Sequence, residues 1–360
     1  MIENSTIKRD IRTTKNTPGA YEWWYFDAVS NDGRTKFVII FYEGNPFSRR
    51  YINRQENTHD AYAKEFPAIS ISVYQNDQPV YYSFTEVEPN NATFSDDVPF
   101  VQIGNHMMEA QEQAGDLQYR IELNEELASG DSIEADITFT SNGQINESVA
   151  LPLEKSGHHA WNIIQPCARV SGGIVCTADG QNQTLIPFEG TGYHDHNMGN
   201  EPLKEQFEDW YWGRFHFPDH TFIYYAMDDI EQETYGWLIE NYSGNVVQEY
   251  KHMQRSDTSM TLYGLMTDRK LTFSSPDSEI LVQQARLLDN GPFYQRYSSD
   301  VFLEIPSQNV LESVEGVSEY ICPPRIYNKL FWPLTNMRIR YEQESPHWVQ
   351  RSKMLYRWTW

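Results

Sequence analysis

Runs rich in Val, Ile, Tyr, Phe and Thr recur along the chain at short spacing, broken by polar turns. WWYFDAVS and RTKFVIIFY flank the turn NDG, and AISISVY and PVYYSFTEV flank QNDQ. Apolar-rich strands around a short Asn/Asp/Gly turn predict β-hairpins. ADITFTSNGQINESVAL, GGIVCTADGQNQTLIPF and YGWLIENYSGNVVQEY repeat the pattern. Helical periodicity is scarce, and EPLKEQFEDW holds room for one short turn. The pattern predicts an all-β chain of the sandwich or barrel type.

Two segments echo each other. Residues 22–41 read EWWYFDAVSNDGRTKFVIIF and residues 209–225 read DWYWGRFHFPDHTFIYY. Each is an acid, three aromatics, a strand, a tight turn and an apolar β-run, and such self-similarity points to two related β-domains. A length of 360 residues also favours two compact units over one. The expected division is 1–186 and 187–360, with the boundary near Pro187.

Composition narrows the partners. With 28 Lys and Arg against 51 Asp and Glu, the net charge is −23, a field that repels nucleic acid. Residues 321–360 depart from this, with seven basic and two acidic residues for a net +5, leaving −28 on the rest. Within them, CPPRIYNKLFWPLTNMRIRY mixes prolines, large apolar residues and cations. That mixture suits either a structural tail packed on a barrel or peripheral contact with an anionic membrane. Three cysteines are too few for a disulfide scaffold and fit a reducing compartment. The polar start MIENSTIKRD shows no signal-peptide pattern, so the expected location is cytoplasmic, with membrane association open.

The densest chemistry lies in GTGYHDHNMGN, residues 190–200. On a strand, His194 and His196 point to one face and Asp195 and Asn197 to the other. Two histidines on one face can ligate a metal, but a third ligand, from His158, His159 or Glu22, would have to come from tertiary folding, and no CxxC or HExxH spacing supports it. An acid/base reading needs fewer parts: an imidazole titrates near neutral pH, and Asp195 either holds an imidazole in one tautomer or is itself the acid when burial favours its neutral form. A polar loop whose His and Asp cap nearby backbone is the alternative. No metal and no cofactor are expected.

The clusters Glu22-Trp23-Trp24-Tyr25 and Asp209-Trp210-Tyr211-Trp212 are core-like, yet their rings can also stabilise a carbocation. A carboxylate opening each cluster must be paired or protonated when buried, with Arg169 and Arg214 as candidate partners. No GxSxG elbow, P-loop or dinucleotide GxGxxG stands in proper context.

Taken together, EWWYFDAVSNDGRTKFVIIFYEGNPFS, WNIIQPCARV, GTGYHDHNMGNEPLKEQFEDWYWGRF and LLDNGPFYQRYSSDVF resemble the carotenoid 1,2-hydratase (hydroxyneurosporene synthase) family, within a lipocalin-like group that also includes polyene Diels–Alderases. The blocks run in order across most of the chain. The resemblance implies two lipocalin-like β-barrel or sandwich domains around an apolar ligand, and water addition to a terminal alkene of an acyclic carotenoid without a redox cofactor. Asp195 and Asn197 fit the family pattern; His194 and His196 depart from it. Asp195, alone or coupled to His194 or His196, is then the expected acid. Tyr193 or Asn197 would position water, and rings among Trp23, Trp24, Trp210 and Trp212 would face the cation. A cyclase acting on a similar polyene and a non-catalytic carrier of an apolar ligand are the alternatives.

Overall fold

The computed structural model describes residues 6–13, 16–113, 115–142, 150–151, 159–178, 182–228 and 234–359. His158 lies outside them, as do parts of the turns expected near residues 143–149 and 179–181.

The described residues divide into two compact units, Met1–Glu205 with Lys329–Trp360, and Gln206–Asn328. Each is built on one antiparallel, curled half-barrel sheet, so the all-β, lipocalin-like expectation holds. The first unit contains β1 (Tyr21–Ser30), β2 (Thr35–Glu43), β3 (Ala68–Gln75), β4 (Gln78–Glu86), β5 (Ala92–Phe94), β6 (Phe100–Ile103), β7 (His106–Gln113), β8 (Asp116–Glu126), β9 (Ser132–Asn142), β10 (Ala150–Leu151), β11 (His159–Ala178) and β12 (Asn182–Gly199). The second contains β13 (Asp209–His216), β14 (His220–Asp228), β15 (Thr234–Glu240), β16 (Val246–Tyr250), β17 (Met253–Met260), β18 (Met266–Ser274), β19 (Glu279–Asn290), β20 (Tyr294–Ile305) and β21 (Val310–Ile321). A last short strand, β22 (Arg340–Tyr341), returns to the first unit and pairs in parallel with β4.

The two sheets share one strand order. The first runs β4-β3-β2-β1-β12-β11-β9-β8-β7, extended by β22 at one end and β6-β5 at the other. The second runs β16-β15-β14-β13-β21-β20-β19-β18-β17. In each, the echoed segment forms a central hairpin, β1–β2 or β13–β14, whose first strand pairs on its other side with the last long strand of the unit. The expected hairpins β3–β4, β11–β12 and β15–β16 also form, whereas in ADITFTSNGQINESVAL the second half, β10, pairs with β11 and not with β9. The β3–β4 turn places Asn76 and Asp77 at φ 51 and 61, the left-handed values that a tight two-residue hairpin requires.

The expected boundary at Pro187 falls inside β12, and the contact pattern divides the chain after Glu205. Pro187 is tolerated there because β1 pairs with β12 only from Gly190 onward, so a missing N–H at 187 breaks no second ladder. Helix α1 (Arg49–Thr58) went unpredicted. It buries only Tyr51 and Ile52, which gives little periodicity to read, and it is set by Ser48 accepting from the Arg50 amide and by His59 closing it in the left-handed conformation.

Of the tail, residues 329–360 pack on the first unit and form short helices at Trp332–Arg338 and Lys353–Trp358, while the helix Pro324–Tyr327 belongs to the second unit. The tail's cations are largely engaged rather than free in solvent: Arg340 lies 3.2 Å from Glu125, Lys353 and Arg357 lie 3.2 and 3.1 Å from Asp131, and Arg338 sits over the Tyr82 ring.

Candidate active site

The HDHN motif lies on β12 between β1 and β11. Trp23, Trp24, Tyr25 and Phe26 of β1 stand opposite Asn197, His196, Asp195 and His194, and Trp161 of β11 stands opposite Asn197. Strand alternation therefore sorts the motif onto two faces, as expected.

On one face Asp195 is 2% exposed and held by three neutral donors. Its Oδ2 accepts from Trp161 Nε1 at 2.7 Å and from the Tyr193 hydroxyl at 2.8 Å, while Oδ1 accepts from Asn197 Nδ2 at 2.8 Å. Tyr25 meets Tyr193 edge-on. Farther along this face, Trp23 stacks on Tyr21 at 5.1 Å, and the Tyr21 hydroxyl bonds His159 Nδ1 at 2.9 Å. Tyr21 reaches His159 by crossing over Gly199, where a Cβ would fall 2.4 Å from its ring. The face is thus aromatic, with the carboxyl of Asp195 set into it and that of the fully buried Asp27, opposite Tyr193, beside it.

On the other face the chemistry is ionic and sealed. His196 Nε2 lies 2.7 Å from Glu22, and its Nδ1 lies 3.3 Å from both Asp10 and the Arg9 carbonyl. Both ring nitrogens face oxygen acceptors, an arrangement only the imidazolium satisfies. Burial acts to lower the His196 pKa, but the Glu22 hydrogen bond, the charges of Glu22 and Asp10 and the Arg9 carbonyl outweigh it and raise the value above the usual 6.5. Trp24 stacks on this ring at 4.6 Å. His194 contacts the Tyr25 carbonyl and, at 3.1 Å, Asp10, with Phe26 stacked on it at 3.8 Å. Asp10 also accepts from the Tyr119 hydroxyl at 2.6 Å, and Glu22 accepts from the Thr13 amide at 2.9 Å. Residues 6–13 thus form a strap hydrogen-bonded to β1, β2, β8, β11 and β12.

The family model described as carotenoid hydratase CrtC matches residues 39–346. The chain belongs to the CrtC carotenoid hydratase family. Within this family, a protein of Chlorobaculum tepidum named hydroxyneurosporene dehydrogenase is 24% identical, covering 90% of this chain and 88% of its own length. An acyclic carotenoid 1,2-hydratase of Rubrivivax gelatinosus is 25% identical, covering 86% of this chain and 70% of its own length. Among solved structures, CghA with Sch210972 superposes with a TM-score of 0.59 at 12% identity, covering 86% of this chain and 93% of CghA. A putative AttH of Nitrosomonas europaea superposes at 0.55 with 13% identity, covering 84% and 92%. At these identities the two structures speak for the fold alone.

Of the residues expected in the site of this CrtC-family chain, Tyr193, Asp195 and Asn197 come together, with Trp23 and Tyr25 on the same face. Glu22, Trp24, His194 and His196 lie on the opposite face of the same strands, so a direct coupling of either histidine to Asp195 is corrected: successive side chains on a strand cannot meet. Arg169 is exposed on β11 and does not pair with Glu22, whose partners are His196 and Thr13. Trp210, Trp212 and Arg214 are buried on β13 of the second unit. There Asp209 lies 3.4 Å from Arg255 and accepts from Tyr320 at 3.1 Å.

Sequence reasoning missed Trp161, Tyr21 with His159 as a bonded pair, and the roles of Asp10 and Tyr119. The spacing His159-Ala160-Trp161 was the available signal, since residues two apart share a strand face. Asp10 gave none, coming from a short 3-10 turn outside any sheet. Among the described residues, no group of three or more His, Cys, Asp or Glu side chains could hold a metal ion.

Proposed function

We propose that this protein adds water to the terminal alkene of an acyclic carotenoid or a related polyene, with Asp195 as the acid. The observation that carries the reading is the donor set on this buried carboxyl: Trp161 and Tyr193 donate to Oδ2 and Asn197 to Oδ1, hydrogen bonds that gain strength as the group becomes anionic. A proton carried on Oδ1 passes to the less substituted alkene carbon, the π pair forms the new C–H bond, and a tertiary cation remains. The charge left on the carboxylate is shared with Oδ2, where Trp161 and Tyr193 already point, so the transition state gains stabilisation without reorganisation. Trp23, Tyr25 and Trp161 offer ring faces to the cation. Water bonds to the cation and returns a proton to the carboxylate, so the acid is regenerated and the product gains one water.

Family membership and the hydratase names of relatives support this chemistry; the aromatic face around Asp195 supports an apolar substrate. Incubation with a panel of acyclic carotenoids, read by product mass, tests it. Mass raised by one water in the native protein and unchanged in Asp195→Asn is the expected result. A rearranged product of unchanged mass would point to cyclisation, and binding without turnover to a carrier.

A further inference from the structure

Among the described residues, the tail carries the exposed tryptophans. Trp348 and Trp358 are 64% and 70% exposed. Met354 is 76% exposed and Leu330 82%. Met354 and Trp358 stand four residues apart on the helix Lys353–Trp358, so they share one face, while Tyr356 on the other face is buried. Trp348 opens the turn that leads into this helix. Lys329 and Arg351 are exposed in the same segment. Exposed tryptophans beside cations on a short amphipathic element suit the interface of a bilayer, where an indole has one apolar face and one polar edge to satisfy.

Charge selects between occupants. Residues 329–360 carry six basic and two acidic side chains, a net +4, against −27 on the remainder. A second copy meeting this surface through its own tail would set +4 against +4, with two strongly acidic bodies behind. An anionic bilayer attracts the tail and repels the body, so it fixes orientation as well as contact. Because Lys353 and Arg357 are engaged with Asp131, apolar insertion rather than a polybasic patch supplies most of the contact.

We propose that the tail docks the protein on an anionic membrane surface, with Trp348, Met354 and Trp358 entering the headgroup region. The proposal is independent of the reaction, and its test contains no polyene. The full chain is mixed with phosphatidylcholine vesicles carrying a minority of phosphatidylglycerol and separated by flotation, beside the triple variant Trp348→Ser, Met354→Ser, Trp358→Ser and the variant Arg351→Glu. All four side chains are exposed, and unchanged thermal unfolding confirms that the variants fold. Expected is flotation of the native chain, a loss of about tenfold or more in the triple variant and a smaller loss in Arg351→Glu. A native chain that stays at the bottom of the gradient, or a triple variant that floats equally well, overturns the proposal. So does light scattering that shows the native chain dimeric and the triple variant monomeric without flotation, which would make a second copy the occupant.

Discussion

The two units place a carboxylate at the same point of the same sheet and use it differently. Aligning the echoed strands puts Glu22, Trp23, Trp24 and Tyr25 level with Asp209, Trp210, Tyr211 and Trp212. The strand registers then set His196 level with Tyr320 and Asp195 level with Glu319. One relation is retained. Glu22 bonds His196 and Asp209 bonds Tyr320, with Trp24 packed on His196 and Tyr211 on Tyr320. The other has diverged. Glu319 forms a buried ion pair with Arg296 at 2.9 Å, and the residue of β11 opposite Asp195, where β20 supplies Arg296, is Ile163. Glu319 thus faces a guanidinium, whereas Asp195 receives its hydrogen bonds from an indole, a phenol and an amide. On the proposed function the carboxyl of one unit handles a proton, while its counterpart is paired with Arg296.

The largest effects should separate these two carboxylates. Asp195→Asn keeps the shape and the acceptor for Trp161 and Tyr193, with the Asn197 amide turning its oxygen to accept from the new NH2, and should lower turnover roughly 10²–10⁴-fold, the usual contribution of a positioned general acid, with the unfolding midpoint little changed. Glu319→Gln should do the converse. It leaves Arg296 facing a neutral amide in a buried site and should cost about 3 kcal/mol in chemical denaturation. If Asp195→Asn keeps full activity, or if Glu319→Gln leaves stability unaltered, the division of labour between the two positions fails.

Next in size is Trp161→Phe, which keeps a ring and deletes one donor to Asp195 Oδ2. A hydrogen bond to a charged group contributes about 1.5–3 kcal/mol, so kcat should fall about tenfold to a hundredfold with KM nearly constant. A matching rise in KM with kcat intact would assign Trp161 to ligand binding instead.

How much of this was legible in the sequence follows from the range of each signal. Alternation along a strand is local, so the spacing of the motif alone puts Asp195 and Asn197 on the face opposite His194 and His196. The echo of residues 22–41 in 209–225 was legible because a duplicated hairpin keeps its turn and its aromatic run. What pairs with these residues was not legible: Trp161 is 34 positions from Asp195, and Asp10 is 184 from His194. Register decides those contacts, and register depends on bulges such as those around Gln165 that composition does not reveal. For the same reason the histidines looked like partners of Asp195 when they are partners of the strap.

The ionic face should respond to pH where its counterpart does not. The raised His196 pKa means that its contribution to stability is fully present below the ordinary imidazole value of 6.5 and is lost as pH rises through the folded-state value. The facing groups are Asp10 and the Arg9 carbonyl from the strap, Glu22 and the Trp24 ring from β1, and His194 on its own strand. Tyr320, level with His196 in the second unit, has its pKa raised by burial first and by the Asp209 charge next, so it stays neutral through this range. Denaturation midpoints measured upward from pH 6 should therefore fall in the native chain and flatten in His196→Gln. An unchanged slope in the variant would place the titrating group elsewhere.

The smallest effect tests whether the ionic face is structural at all. Tyr119→Phe deletes the hydroxyl that donates to Asp10 while leaving Asp10 its contacts with His194 and His196. The ring itself remains, packed edge-on against His194 and beside Phe26, so no cavity opens. The loss is then one hydrogen bond to a buried carboxylate whose Oδ2 still lies 3.1 Å from His194, about 1.5 kcal/mol in unfolding free energy. Because the strap lies behind β12 rather than on the aromatic face, turnover per folded molecule should be the same as in the native chain. A fall in kcat without a change in stability would mean that the two faces communicate through the β12 backbone, and the separation between a proton-handling face and an anchoring face would have to be given up.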